Sequence, residues 1–295
     1  MPPRCKRSVL RLGAAACAIV VTASTVVAST STTATASSAV VYDAVGDSYT
    51  AQDSLVVWNE KPCEVAPTTY PSLAASDLRL SETNLACSGA DSANLLDLAQ
   101  PGDAAPQLEL TSTDAGLITI LIGLNDLGAP PYYFVNELAG CEKYNAEHTT
   151  DVSCQHLPGM GRRAMLRAVR SVSTDLVAAL AWLQANRPAA KVFVLDYPAI
   201  VGTPSCAGQP LTASDVALVN VVMAKMQRVL RQDARRDGAG FIDLYGPSLN
   251  AAGCAAWVAP GTATGGVLVN HPTQAGVRSM ATVVEKALAG YLLSH

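Results

Sequence analysis

The chain has 295 residues, 49% of them hydrophobic, with a mean hydropathy of +0.24 and a formal charge of −4, which excludes wholesale disorder and suffices for one well-buried domain of the larger kind. Four of its 20 basic residues, Arg4, Lys6, Arg7 and Arg11, precede the first acid, Asp43. Without them 16 Lys and Arg face 24 acids, a balance of about −8, and nucleic acid and anionic membrane surfaces are poor partners for such a chain.

Those four basic residues lead into an apolar, Ala- and Val-rich run from Leu12 to Val27. It is too short and too small-residued for a stable membrane span and has the pattern of a secretory signal. Residues 1–39 are therefore expected to be a signal peptide followed by a Ser/Thr-rich arm, and residues 40–295 the folded, extracellular domain. Cys5 and Cys17 leave with the signal, and Cys63, Cys87, Cys141, Cys154, Cys206 and Cys254 remain. An even count in an exported chain implies three disulfides. The sequence leaves their pairing open, with sequential pairing closing the shortest loops. No Cys-x-x-Cys or Cys/His cluster has zinc spacing, so neither metal nor cofactor is expected, and a disulfide-stapled secreted domain is expected to be a monomer.

The first strand is expected over Val40–Val45, delivering Gly46-Asp47-Ser48-Tyr49 to a strand-to-helix turn. A helix follows over Pro71–Leu78, a short strand over Thr83–Ala86 and a continuous apolar strand over Gly116–Ile122, of the kind buried on both faces. Gly128–Gly161 reads as a long connection, holding Cys141 and Cys154 with Tyr132, Tyr133 and Phe134 near its start. From Arg162 to Asn186, Met165, Leu166, Val169, Val172, Leu176, Leu180 and Leu183 recur at helical steps, with Pro188 just beyond. On that helix Arg162, Arg163, Arg167 and Arg170 read as a solvated face, with a lipid-headgroup patch as the rival. Lys191–Asp196 is the next strand, Thr212–Arg236 another helix and Phe241–Leu244 the last strand. Gly246–Asn270 is a second long connection, with Cys254 and Trp257. Pro272–Leu292 closes the chain as a helix with proline in its first turn. Five strands alternating with helices predict a three-layer, doubly wound α/β domain with a five-stranded parallel sheet. Both long connections leave carboxyl ends of strands and should wall the edge that carries Ser48.

A serine hydroxyl at that edge is a candidate nucleophile, although Gly-Asp-Ser is also ordinary turn chemistry. Attack on an acyl carbonyl needs a base and donors for the oxyanion. Of the four histidines, His295 is the last residue, and His148 and His156 lie in or beside the polar Cys141–Cys154 loop. His271, in Val269-Asn270-His271-Pro272-Thr273, opens the closing helix where a ring reaches the sheet edge. Asn125, in Gly123-Leu124-Asn125-Asp126, follows the most apolar strand. Gly89, in Ala86-Cys87-Ser88-Gly89-Ala90, brings a backbone N–H close to a ligand because it lacks Cβ.

The ordered set Gly46-Asp47-Ser48, Gly89, Gly123-x-Asn125-Asp126 and His271-Pro272 resembles the four sequence blocks of the SGNH (GDSL-type) hydrolases from about residue 40 to the end. Six cysteines, Cys254-Ala-Ala-Trp257 and His-Pro-Thr-x-x-Gly276 are most similar to the secreted actinobacterial lipase and esterase branch with three disulfides. The resemblance implies a flavodoxin-like sheet, Ser48 as nucleophile, His271 as base then acid, and an oxyanion hole from the Ser48 and Gly89 N–H groups and the Asn125 side chain. It supports pairing Cys63 with Cys87, Cys141 with Cys154 and Cys206 with Cys254. Tyr132, Tyr133, Phe134 and Trp257 in the two long connections, together with the family branch, point to a lipid-like or other apolar acyl ester as substrate, with aromatic core packing as the plainer reading of those side chains. Phospholipase A and carbohydrate acetylesterase activity are the alternatives, and a non-catalytic surface module is a reading from another class. Gly-x-Ser-x-Gly does not occur, which argues against the α/β-hydrolase fold. One departure stands out: most of the family has an acid three residues before the histidine, where this chain has Leu268. A backbone carbonyl is expected to take over the ring's Nδ1 proton, that of Leu268 first and that of Val269 second, with Asp243 as a carboxylate alternative.

Overall fold

Leu117–Leu121 is apolar or β-branched at every position and buried at every position, so it requires cover on both faces and a strand on either side. The computed structural model describes residues 39–51, 63, 65–128, 133–202, 209–250, 257–264 and 268–294, and in them this strand is the centre of a five-stranded sheet. The strands are β1 (Val41–Gly46), β2 (Ser81–Asn84), β3 (Leu117–Leu121), β4 (Lys191–Leu195) and β5 (Gly240–Ile242). Their order is β2-β1-β3-β4-β5, with every neighbouring pair parallel. The three-layer α/β architecture with a five-stranded parallel sheet is thus as expected.

The helices are α1 (Ser48–Ala51), α2 (Tyr70–Leu78), α3 (Gln107–Leu110), α4 (Phe134–His148), α5 (Arg162–Asn186), α6 (Ala213–Arg236), α7 (Tyr245–Asn250) and α8 (Gln274–Leu292). From β1 the chain crosses to one side to form β2, then returns past β1 to form β3 and continues outward. Right-handed crossovers of opposite direction put their helices on opposite faces: α2 packs with α8, and α5 with α6. The direction of winding reverses between β1 and β3. Open α/β sheets place ligands at the carboxyl edge beside such a reversal, and Ser48 and Asn125 follow these two strands.

Three features differ from the sequence reading. The second strand lies two residues earlier than Thr83–Ala86, because Ser81–Asn84 is what pairs with Val41–Ala44. It is a half-exposed edge strand, and the apolar Leu85-Ala86 lies beyond it, where the Asn84 side chain turns the chain by accepting from the Ala86 N–H at 3.1 Å. The connection expected over Gly128–Gly161 contains a four-turn helix, α4, whose buried face is Phe134, Val135, Leu138, Ala139, Cys141, Glu142 and Asn145. Phe134 is thereby a core residue rather than a loop aromatic, while Tyr132 lies outside the described residues. Pro272 is not in the first turn of α8: it forms an antiparallel bridge with Val258, and Thr273 caps the helix by accepting from the Gly276 N–H at 2.9 Å.

Cys63 is bonded to Cys87 and Cys141 to Cys154. The expected Cys206–Cys254 pair lies outside the described residues. Arg162, Arg163, Arg167 and Arg170 form an exposed face of α5. No helix among the described residues is long and apolar enough to cross a membrane.

Candidate active site

The turn after β1 is built by Gly46. Its φ is +153°, and a Cβ there would lie 2.3 Å from the Leu121 carbonyl oxygen, so only glycine lets β1 leave the sheet beside β3. The side chain of buried Gln107 holds both sides of this residue, accepting from its N–H at 2.7 Å and donating to its carbonyl at 2.9 Å. Asp47 follows, wholly buried. One of its oxygens accepts from the Tyr49 N–H at 2.9 Å and the other from the Tyr197 hydroxyl. Tyr197 in turn accepts from the Leu124 N–H at 3.1 Å. Asp47 and Tyr197 therefore tie the turn after β1 to the segment after β3. Burial pushes the Asp47 carboxyl up to about 7 against the lowering effect of these bonds.

Ser48 emerges from this turn 5% exposed, with its Oγ 2.7 Å from Nε2 of His271. Nδ1 of the same ring is 2.8 Å from the Val269 carbonyl oxygen. A carbonyl only accepts, so Nδ1 carries the proton, and Nε2 of the neutral ring accepts from the serine hydroxyl. Burial, opposed by the bond to Val269, lowers the His271 pKa to about 4, which keeps the ring neutral at physiological pH.

The carbonyl that faces Nδ1 is thus that of Val269, not that of Leu268. The reason lies in Asn270, whose φ of +53° is left-handed and reverses the chain immediately before the ring. Around it the backbone is pinned on Ala259, which accepts from the Asn270 N–H and donates to the His271 carbonyl, both at 2.8 Å. The Tyr49 hydroxyl donates to the Asn270 carbonyl at 2.5 Å, and its ring lies 5.2 Å from the imidazole. Asp243, the alternative acid, is engaged elsewhere: it accepts from Gln227, from Arg231 and from the Gly246 N–H.

Gly89 is exposed, with φ +82°, at the third position of a turn closed by the Ala90 N–H on the Cys87 carbonyl at 3.1 Å. This is the left-handed position of a type II turn, which favours glycine. The N–H groups of Ser48 and Gly89 have no protein acceptor among the described residues, so both are available to a ligand. Asn125 is 6% exposed, and its Nδ2 donates to the Ala90 carbonyl at 2.8 Å. One amide hydrogen joins the two segments and the other is left over. Beside it Asp126 accepts from the Ser92 N–H at 3.0 Å. The Ser92 Oγ lies 2.5 Å from Asp126 and 2.6 Å from Asp175. Burial pushes the Asp126 carboxyl up to about 6 against the lowering effect of its bonds to Ser92.

Asp47, Tyr197, Gln107, Tyr49 and Asn270 were not singled out from the sequence. Only Asp47 carried a local signal, as the central residue of Gly-Asp-Ser. Trp257 packs partly buried against the core, and its carbonyl accepts from the Thr273 N–H at 2.8 Å.

A family model described as the GDSL-like Lipase/Acylhydrolase family matches residues 44–278. "Lipase 2" of Streptomyces coelicolor is 29% identical over 251 residues, covering 81% of this chain and 83% of that protein. Among solved structures, an extracellular lipase from Streptomyces rimosus shares the fold with a TM-score of 0.63 at 22% identity, over 85% of this chain and 100% of that one. Phospholipase A1 from Streptomyces albidoflavus does so with a TM-score of 0.62 at 21% identity, over 84% and 98%. With the match running from β1 into α8, and so from the strand before Ser48 to the helix behind His271, the chain belongs to the GDSL-like lipase/acylhydrolase family of carboxylic ester hydrolases.

Proposed function

We propose that the protein is a secreted serine esterase that cleaves lipid-like acyl esters through an acyl-enzyme, without metal or cofactor. The observation that carries this reading is the chain of contacts Ser48 Oγ to His271 Nε2 and His271 Nδ1 to the Val269 carbonyl. Ser48 Oγ attacks the acyl carbon as its proton passes to Nε2. The carbonyl oxygen, now an oxyanion, takes the Ser48 and Gly89 N–H groups and the free Asn125 amide hydrogen. Collapse expels the alcohol, which leaves with the proton from Nε2, and an acyl-Ser48 ester remains. Water then attacks that ester, gives its proton to Nε2, and the acid departs as the proton returns to Ser48. The Val269 carbonyl fixes the tautomer throughout, the orienting part of what an acid does in a triad.

Export is supported by the basic and apolar pattern of residues 1–39 and by two formed disulfides. The likeness to proteins named lipase and phospholipase A1 makes tributyrin and phosphatidylcholine the first substrates to try, with acetylated xylan as the carbohydrate alternative. The test is Ser48→Ala together with fluorophosphonate labelling. The wild type is expected to be labelled on Ser48 and the variant to lose ester turnover. A variant as active as the wild type would refute the mechanism, and an unlabelled, inactive wild type would favour a non-catalytic module.

A further inference from the structure

Behind Asn270 lies a carboxyl group that the mechanism does not use. Glu142 sits on the buried face of α4 with none of its surface exposed, and no described cation forms an ion pair with it. Its Oε2 accepts from the Asn270 amide at 3.3 Å, and the same amide nitrogen lies 3.2 Å from the Val135 carbonyl. The Gly261 backbone N–H bonds the carboxyl as well. Gly261 itself presses so close that a Cβ there would lie 1.8 Å from Oε2. A buried carboxyl with no cation is costly, so its retention calls for a specific role. Its side-chain link runs to Asn270 in the segment that aims His271, and Gly261 lies two residues beyond Ala259, on which that segment is pinned.

We propose that Glu142 is a positioning residue for His271. It fixes the Asn270 side chain, Asn270 holds the left-handed turn, and the turn sets the Val269 carbonyl against Nδ1. A carboxyl 128 positions away in the chain thus does indirectly what the family's pattern assigns to an acid three residues before the histidine. Burial pushes Glu142 up to about 7, and a neutral carboxyl still accepts from Asn270 through its carbonyl oxygen. Glutamine, of the same shape, should therefore replace it.

The proposal rests on the Ser48–His271 reading, and its test separates the two. Glu142→Gln is expected to keep kcat within about threefold. Glu142→Leu is expected to lower kcat by about tenfold or more with KM within about twofold, since a displacement of about an ångström can cost about 10²-fold. Fluorophosphonate should label Ser48 correspondingly more slowly. Asn270→Gly keeps the left-handed turn accessible while removing the tie, and is expected to lose as much; the double variant should lose no more than either single one. Should Glu142→Leu fail to fold, Asn270→Gly carries the test alone. A folded Glu142→Leu or Asn270→Gly with wild-type kcat and labelling rate would overturn the proposal while leaving the dyad standing. So would Glu142→Gln as impaired as Glu142→Leu, or losses that multiply in the double variant. Activity that survives Ser48→Ala would instead remove the dyad itself.

Discussion

The neutral, buried ring of His271 makes a quantitative claim about pH. In water an imidazole titrates near 6.5, whereas burial brings His271 to about 4, a difference of roughly 3 kcal/mol between its protonation states. The base must be unprotonated to accept from Ser48. At pH 5 a solvated ring would be only about 3% neutral, whereas a ring with a pKa near 4 is about 90% neutral. We expect kcat/KM to stay level from pH 8 to about 5 and to fall tenfold per unit only below about pH 4. Loss of a neutral ester, followed by chromatography, keeps product ionisation out of the measurement. Asp47 and Glu142, pushed up to about 7, and Asp126, to about 6, take up protons in the same interval but do not touch the reacting atoms. A single break at pH 6 to 6.5 that persists in Asp126→Asn would refute the argument, because the base would then be titrating as though solvated. The signs for stability are opposite. His271, depressed by the fold, contributes stability above about pH 6.5 that is lost as pH falls through about 4. The raised carboxyls contribute most below about pH 4 and lose that contribution as pH rises through about 6 to 7.

Asn125→Ala removes an oxyanion donor and is expected to lower kcat by about 10²- to 10³-fold with a smaller change in KM. Steady-state kinetics that showed a raised KM and an unchanged kcat would reduce Asn125 to a tie between its own segment and Ala90. Replacing Cys141 and Cys154 together by serine opens a bridge of sequence separation 13. Chain entropy then predicts a loss of about 3 kcal/mol and a melting temperature lower by about 6 to 12 °C, with kcat at room temperature kept within about threefold. Unaltered urea and thermal unfolding would show that α4 is held by packing alone.

What could be read from the sequence was what local pattern determines. Leu117–Leu121 is apolar or β-branched throughout, the pattern of a strand buried on both faces; the α5 stripe from Met165 to Leu183 matches its buried face. Ser48, Asn125 and His271 each stand at a boundary marked by glycine or proline. The second strand escaped because Ser81-Glu82-Thr83-Asn84 has no apolar signal, and its strand character comes from hydrogen bonds to β1. The α4 helix escaped because Glu142 and Asn145 occupy its inner face. Their partners, Asn270 for the one and the Val152 and Pro210 carbonyls for the other, lie up to 128 positions away. Choosing Val269 over Leu268 likewise required the φ of Asn270, a torsion set by Ala259, Tyr49 and Glu142 rather than by its neighbours.

A base with a pKa near 4 is a weak one, and proton transfer from serine to it is uphill in the resting enzyme. On the proposed mechanism that cost is confined to the ground state. As the bond to the acyl carbon forms, an oxyanion grows beside the ring. Its negative charge, beside a ring that is itself largely buried, favours the imidazolium that burial alone disfavours. The attraction is absent when substrate binds and present when the barrier is crossed, which is the kind of interaction that raises kcat rather than tightening binding. A carbonyl suffices behind such a ring because little else is asked of it than to fix the tautomer. The larger share of charge stabilisation then falls to the oxyanion donors. For that reason Asn125→Ala should cost this enzyme more than any single substitution in the contacts behind His271, and the reverse order would place the stabilising charge on the imidazole side instead.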